Sequence, residues 1–306
     1  MKKKTGLWLF AALLAAVSVS IFLLDPPQDE PLYADIQPDS GKGSNTISYG
    51  LYEPDGQIID NGTVITPGSG NRITKVLSLS HFLEVDRKYG LVVLEDFKQV
   101  PFTIDGKTQT FYTFDMTPNQ TVNVKIETTV QEGAQELDYL VIPKPEYMVK
   151  DQDIEKASVL QEALPLRFPI HRRQNSALDY ATPVRTFTSG PNDNVFISSK
   201  AEELKILFQS PDDEPAYLSV GNIQKQDVDY ALVAFMNWEQ VPVDDQHPVL
   251  YAKVKPGERI VYPLQFPDTQ TEQSYQIFAF PKPFQVDRQD YPSQHLYGTL
   301  RTIVQP

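Results

Sequence analysis

Cysteine is missing from all 306 residues. Its absence excludes disulfides, thiolate metal sites, a thiol nucleophile and lipid attachment through a cysteine. Histidine is scarce: His81, His171, His247 and His295 stand alone, and none belongs to a His-Glu-x-x-His pair or another metal-ligand spacing. The chain also lacks a Gly-x-Ser-x-Gly elbow, a phosphate-binding loop and a dinucleotide fingerprint. No cofactor and no metal is therefore expected. Basic residues are in deficit as well, 27 against 40 acids for a formal charge of −13. That balance repels nucleic acid and anionic surfaces.

Charge is absent from one further place. Between Thr5 and Leu24 there are 20 residues without a charged side chain, about the length of helix that crosses a bilayer core. Lys2, Lys3 and Lys4 precede the run, Trp8 falls near its start, and Asp25, Asp29 and Glu30 follow it. The positive-inside bias puts the N-terminus in the cytoplasm and the rest outside. A cleaved signal peptide shares the charged start, but no Ala-x-Ala closes the apolar run. The expectation is a retained single-span anchor over residues 1–24, in a cell-envelope protein whose body lies outside the cytoplasm. With the three lysines set aside, the remainder carries 24 basic and 40 acidic residues, a formal charge of −16.

Residues 25–44 are rich in Pro, Asp, Gln, Ser and Gly without hydrophobic periodicity, and read as a flexible tether. From Asn45 onward, short alternating runs are separated by turn clusters. Val122, Val124 and Ile126 share one face of a strand, as do Ile260, Tyr262 and Leu264, while Glu53-Pro54-Asp55-Gly56 is a turn. One stretch, Asp153–Leu164, has a helical stripe that Pro165 ends. Asn61-Gly62-Thr63 and Asn119-Gln120-Thr121 match a glycosylation sequon and read as turn and strand residues.

The chain repeats itself. Lys88–Pro101 aligns with Asp229–Pro242 at an offset of 141, sharing Tyr, Leu-Val, an aromatic (Phe97, Trp238) and Gln-Val-Pro. Thr117–Val122 then aligns with Lys255–Ile260, and Val141–Pro145 with Ala279–Pro283, both at an offset of 138. Three blocks in the same order with one gap define two tandem copies of about 110 residues, a usual domain size. A strand, a Pro-Asn-Gln or Pro-Gly-Glu turn and an alternating strand resemble what immunoglobulin-like and fibronectin-type sandwiches show. The expected architecture is mainly β: an N-terminal transmembrane helix and tether, a first β-sandwich over 45–153, a short helical or irregular connector over 154–184, and a second β-sandwich over 185–306.

Clusters that suggest chemistry read more simply as structure. Asp244-Asp245-Gln246-His247 and Asp212-Asp213-Glu214 are acidic enough for a cation but sit in turns. Trp238 occupies the repeat position of Phe97, which favours a shared structural role over a sugar platform. Arg167, His171, Arg172 and Arg173 form the one basic cluster of the body: either a docking site for an acidic partner or a connector pairing with acids of either copy. No catalytic residue is assigned. The expected function is a non-enzymatic binding or structural module with a protein or polymer partner. The alternatives are an envelope hydrolase acting on glycan or peptide through acids, and an accessory or sensor subunit of a membrane complex.

Overall fold

The computed structural model describes residues 45–150, 152–170, 177–190, 195–211, 214–244 and 247–306. The expected anchor and tether lie outside these residues, and no helix among them is long and apolar enough to cross a membrane. In chain order the strands are β1 (Ile47–Tyr52), β2 (Ile58–Ile59), β3 (Arg72–His81), β4 (Arg87–Glu95), β5 (Lys98–Gln99), β6 (Phe102–Ile104), β7 (Lys107–Gln109), β8 (Phe111–Met116), β9 (Gln120–Thr129) and β10 (Glu136–Pro143). Helix α1 (Ile154–Ser158) follows, then β11 (Leu164–Pro169), β12 (Arg185–Phe187), β13 (Val195–Ser198), β14 (Ala216–Gly221), β15 (Val228–Met236), β16 (Glu239–Val241), β17 (Leu250–Val254), β18 (Arg259–Leu264) and β19 (Gln273–Pro281). Helix α2 (Tyr291–Gln294), β20 (Tyr297–Gly298) and β21 (Thr302–Val304) close the chain.

The strands form four antiparallel sheets in two β-sandwiches. The first pairs β2-β1-β3-β9-β6-β7 with β11-β10-β4, whose outer edge carries β5 and β8. The second pairs β12-β18-β14-β13 with β16-β15-β19, whose edges also carry β17, β20 and β21. Leu77, Leu79, Val124 and Ile126 of the first outer sheet meet Leu91, Val93, Tyr139 and Val141. Leu218, Val220, Ile260 and Tyr262 meet Tyr230, Leu232, Ile277 and Ala279 in the second.

The sandwiches stack through their inner sheets, so the molecule has four layers. β4, β10, β15 and β19 are covered on both faces. Their alternate residues Val92, Leu94, Leu140, Ile142, Val233, Phe235, Phe278 and Phe280 form a third apolar cluster between the sandwiches. Strands buried on both faces lose the polar alternation of an exposed sheet. This accounts for the unbroken apolar runs Gly90–Leu94 and Ala231–Phe235.

The turns follow local chemistry. Gly56 closes Glu53–Gln57 at φ 90°. Asn119 (φ 60°) and Gly257 (φ 72°) hold equivalent positions after Pro118 and Pro256, where the turn needs a left-handed residue. The helical stripe is shorter than the sequence suggests. Asp153 caps α1 by accepting from the Glu155 and Lys156 amides, but the helix stops at Ser158. The segment after it differs from the irregular connector expected there: Leu164–Pro169 is an edge strand paired along β10. Leu166, Phe168 and Ile170 alternate into the first core. Pro165 and Pro169 are tolerated because only one side of an edge strand needs its amides.

Candidate functional site: the seam between the sandwiches

The seam is built twice from the same parts. Residue pairs 92/233, 94/235 and 97/238 recur at the first repeat offset, and 140/278 and 142/280 at the second. Each copy contributes the same face of the same two strands, which is the arrangement of a two-fold symmetric dimer made within one chain.

One edge of the seam is polar and reciprocal. The Gln99 amide donates to Gln240 Oε1 at 2.6 Å, and the Gln240 amide donates to Gln99 Oε1 at 2.6 Å. Gln99 Nε2 donates to the Trp238 carbonyl at 2.8 Å, and Gln240 Nε2 to the Phe97 carbonyl at 3.0 Å. These are the glutamines of the two Gln-Val-Pro motifs. Beside them, Asp96-Phe97 (φ 48° and 65°) and Asn237-Trp238 (φ 47° and 70°) turn matching hairpins in left-handed backbone. Short polar residues tolerate this conformation, whereas a bulky aromatic in it is strained. Packing holds the aromatics there. Phe97 is fully buried against Phe280 and Phe284, and Trp238 is 4% exposed with its indole N–H donating to the Pro145 carbonyl at 2.8 Å. Asp96 accepts from the Glu136 amide, and Asn237 from the equivalent Ser274 amide, each at 2.9 Å.

Two arginines cross the seam in opposite directions. Arg167 on β11 donates from Nη1 to the carbonyls of Pro281 (2.8 Å) and Ser293 (2.6 Å) in the second sandwich. Arg301, between β20 and β21, donates to the carbonyls of Pro143 (2.8 Å) and Lys144 (2.6 Å) in the first. Pro143 and Pro281 are repeat equivalents. Each guanidinium also lies over aromatic rings, Arg301 4.8 Å from the Trp238 centroid and Arg167 5.4 Å from that of Phe280.

The copies differ in what neutralises the arginine. Arg167 Nε and Nη2 donate to Glu136 Oε1 at 2.9 and 2.6 Å, and Glu136 Oε2 accepts from the Phe284 amide across the seam. Asp138 lies beside them, fully buried, with Oδ1 3.4 Å from Arg167 Nε and neither oxygen hydrogen-bonded. Burial first, and then the Glu136 charge, hold the Asp138 carboxyl well above the ordinary range, with Arg167 pulling the other way. In the second copy the position of Asp138 is Gln276, a neutral amide that accepts from Arg301 and donates to the carbonyls of Leu160 and Thr299. Burial pushes the Arg301 guanidinium down, with no carboxylate beside it among the described residues to oppose the shift.

Of the cluster singled out by sequence, Arg167 is therefore not offered to an outside partner. It pairs with acids of its own sandwich and ties in the second, while His171, Arg172 and Arg173 lie outside the described residues. The residues that sequence reasoning passed over are Gln99, Gln240, Glu136, Asp138 and Arg301. The Gln-Val-Pro repeat was the one signal for the glutamines.

The other sequence candidates fall in ordinary structure. His247 Nδ1 meets Asp244 in an exposed turn, and Asp245, Gln246, Asp212 and Asp213 lie outside the described residues. Buried His81 donates through Nε2 to the Val85 carbonyl, and its Nδ1 shares a 2.8 Å hydrogen bond with the Tyr89 hydroxyl. Among the described residues, no three His, Asp or Glu side chains are grouped to hold a metal ion. A recess of about 970 Å³ at the far end of the second sandwich is walled by Tyr217, Phe266 and five prolines, and Glu214 and Asp268 are the acids of its described lining.

The fold and seam thus define a mainly β protein of two antiparallel sandwiches. No family model matches the chain, and no curated protein matches it. Solved structures do. The E. coli chaperone DraB matches at 10% identity over 84% of this chain and 95% of that one, with a TM-score of 0.25. A structure of the Salmonella enterica SafA pilin in complex with the SafB chaperone matches at 12% identity, over 83% and 96%, with a TM-score of 0.23. PapD-like domain 7 of human CEP192 matches at 14% identity, over 44% and 89%, with a TM-score of 0.23. At TM-scores this low nothing about role follows from these likenesses.

Proposed function

We propose that the chain is a non-enzymatic, membrane-anchored module of the cell envelope: two sandwiches locked into one block outside the cytoplasm, presenting an acidic surface to a protein or polymer partner. One observation carries this reading. The buried ionisable groups at the seam, Glu136, Asp138, Arg167 and Arg301, face one another and backbone carbonyls, so their contacts are spent on holding the sandwiches together. The described recess walled by proline and aromatic side chains suits binding better than acid–base chemistry. The apolar run Thr5–Leu24 supports the anchor.

The test is affinity purification of the full chain from detergent-solubilised membranes, followed by identification of what co-purifies. The expected result is recovery in the membrane fraction with a specific partner. Recovery wholly in the soluble fraction as a chain beginning after Ser20 removes the anchor. Turnover of a glycan or peptide, abolished by replacing one acid, removes the non-enzymatic reading.

A further inference from the structure

The second sandwich has an edge that the first lacks among its described residues. Before β13, the chain crosses from one sheet of the second sandwich to the other. Tyr180 bridges Tyr251 on β17, and the Ala181 amide donates to the Tyr251 carbonyl at 2.9 Å. The Val184 amide then donates to the Val261 carbonyl, and β12 pairs Arg185 with Val261 and Thr186 with Ile260 on β18.

Strand register fixes the equivalent places in the first sandwich. Tyr251 lies opposite Ala231, and Thr113 on β8 opposite the equivalent Gly90. Val261 and Ile260 lie opposite Ser219 and Val220, and Asn123 and Val122 on β9 opposite the equivalent Ser78 and Leu79. β6 reaches β9 only at Glu127 and Thr128, so no described strand covers the outer side of Val122 and Asn123, or that of β8.

The uncovered positions look uncovered. In the second sandwich Leu250, Ile260 and Val261 are 1%, 3% and 0% exposed. Their counterparts Tyr112, Val122 and Asn123 are only half-buried. An open edge of this kind is a template for another strand.

The sequence contains a matching residue pair at nearly the same distance. Val195 and Tyr49 are equivalent, since they lie opposite Val220 and Leu79. Tyr180-Ala181 precedes Val195 by 15 and 14 residues, and Tyr33-Ala34 precedes Tyr49 by 16 and 15. A proline follows each pair, Pro183 and Pro38. Lys253, whose Nζ is 5.9 Å from the Tyr180 ring centroid, pairs with Asp229. Asp115 and Lys88 hold those two positions in the first sandwich with the charges exchanged. Three features have no counterpart: Pro38 falls five residues after Tyr33 where Pro183 falls three after Tyr180, Asp115 offers no cation where Lys253 meets the Tyr180 ring, and the Tyr262 hydroxyl that reaches the Ala181 carbonyl is replaced by Val124.

We propose that residues 32–41 of this chain dock on the open edge of the first sandwich, Tyr33-Ala34 along β8 at Thr113 and the residues after Pro38 along β9 at Val122 and Asn123. Together with the membrane anchor proposed above, this leaves residues 25–31 as the tether. Seven residues span at most about 24 Å, so the body is held against the bilayer rather than displayed far from it.

The experiment is hydrogen exchange on the purified full chain, comparing wild type with Ala34→Pro, which deletes the amide that would donate to β8. Ala181→Pro, with β17 as the readout, serves as the control. The expected result is at least a tenfold faster exchange in β8 for Ala34→Pro, matching that of β17 in the control. Unchanged β8 exchange alongside a responsive control overturns the proposal. A second measurement uses the absence of cysteine: Tyr33→Cys with Thr113→Cys is expected to form a disulfide within one chain. A disulfide-linked dimer, which assigns the edge to a second copy, or no cross-link at all, also overturns it. Neither measurement depends on the identity of the envelope partner.

Discussion

The carboxyl of Asp138 offers the sharpest test of how the seam is held. It is fully buried beside Glu136, whose oxygens already accept from Arg167 and the Phe284 amide. Asp138 has no aimed donor of its own, and burial and the Glu136 charge raise its pKa well above the ordinary range. Folding therefore takes up a proton at this site. Its contribution is full below about pH 3.9, where the unfolded carboxyl is also protonated, and is lost as pH rises toward the folded-state value. Within that window the loss runs at no more than about 1.4 kcal/mol for each pH unit. Asp138→Asn removes that loss and keeps the shape. The amide it introduces stands where the protonated carboxyl stood, beside Glu136 and Arg167. The expected result is a variant that gains on the wild type as pH rises from 4 to 8, by at most about 1.4 kcal/mol for each pH unit. The assay is urea unfolding between pH 4 and 8, followed through Trp238, which sits in the seam. A gap between variant and wild type that stays constant across this range refutes the reasoning.

Further outcomes test the rest of the seam. Gln99→Ala and Gln240→Ala each remove side-chain bonds to the opposite copy. Each is expected to cost about 1–2 kcal/mol, with a double-mutant cycle showing at least about 0.5 kcal/mol of coupling in urea melts. Trp238→Ala is expected to cost about 3–5 kcal/mol. Trp238→Gly is expected to cost no more than that despite losing another carbon, because glycine relieves the strain of φ 70°; a markedly worse Gly variant in thermal melts counts against strain at the hairpin. At Gly298 an added Cβ runs into the Gln161 carbonyl of the backbone, so Gly298→Ala is expected to lower the melting temperature by several degrees, checked by calorimetry.

How far the sequence reveals this molecule depends on which layer is asked about. Strands with one solvated face announce themselves by alternation: Val124 and Ile126 do enter the first core, and Ile260, Tyr262 and Leu264 the second. The helix stripe at Asp153–Leu164 misleads because only five of its residues are helical: Ala157 and Leu160 pack against Val149 and Leu300 and Ala163 enters the seam, while Ile154 and Val159 stay exposed, so tertiary contacts override local helix propensity. The seam leaves a subtler mark. Val92 and Val93 are adjacent, yet one faces the seam and the other the first core. A run such as Gly90–Leu94 that repeats 141 residues later is thus the signature of two sandwiches covering each other. The duplication predicts two equal bodies, and the unbroken runs within it predict that those bodies touch.

What no alignment of the copies reveals is the pair of arginines. Arg167 and Arg301 are 134 residues apart, at neither repeat offset, because they belong to edge segments that differ between the copies: an unbroken β11 in one, and two short strands with Arg301 between them in the other. The segments diverged in length while the guanidinium kept its targets, the carbonyls that end β10 and β19. A buried cation in this position is retained for its geometry, since one planar fork reaches several carbonyls of the opposite copy at once. The charge it brings is then handled differently on each side, by the Glu136 carboxylate in one and by Gln276 and the Trp238 ring in the other. If geometry is what is kept, Arg167→Lys fails nearly as badly as Arg167→Ala in urea melts, because a single ammonium cannot serve both Glu136 and the Pro281 carbonyl. Rescue by lysine to within about 1 kcal/mol of wild type would place the charge, and not the fork, at the root of the seam.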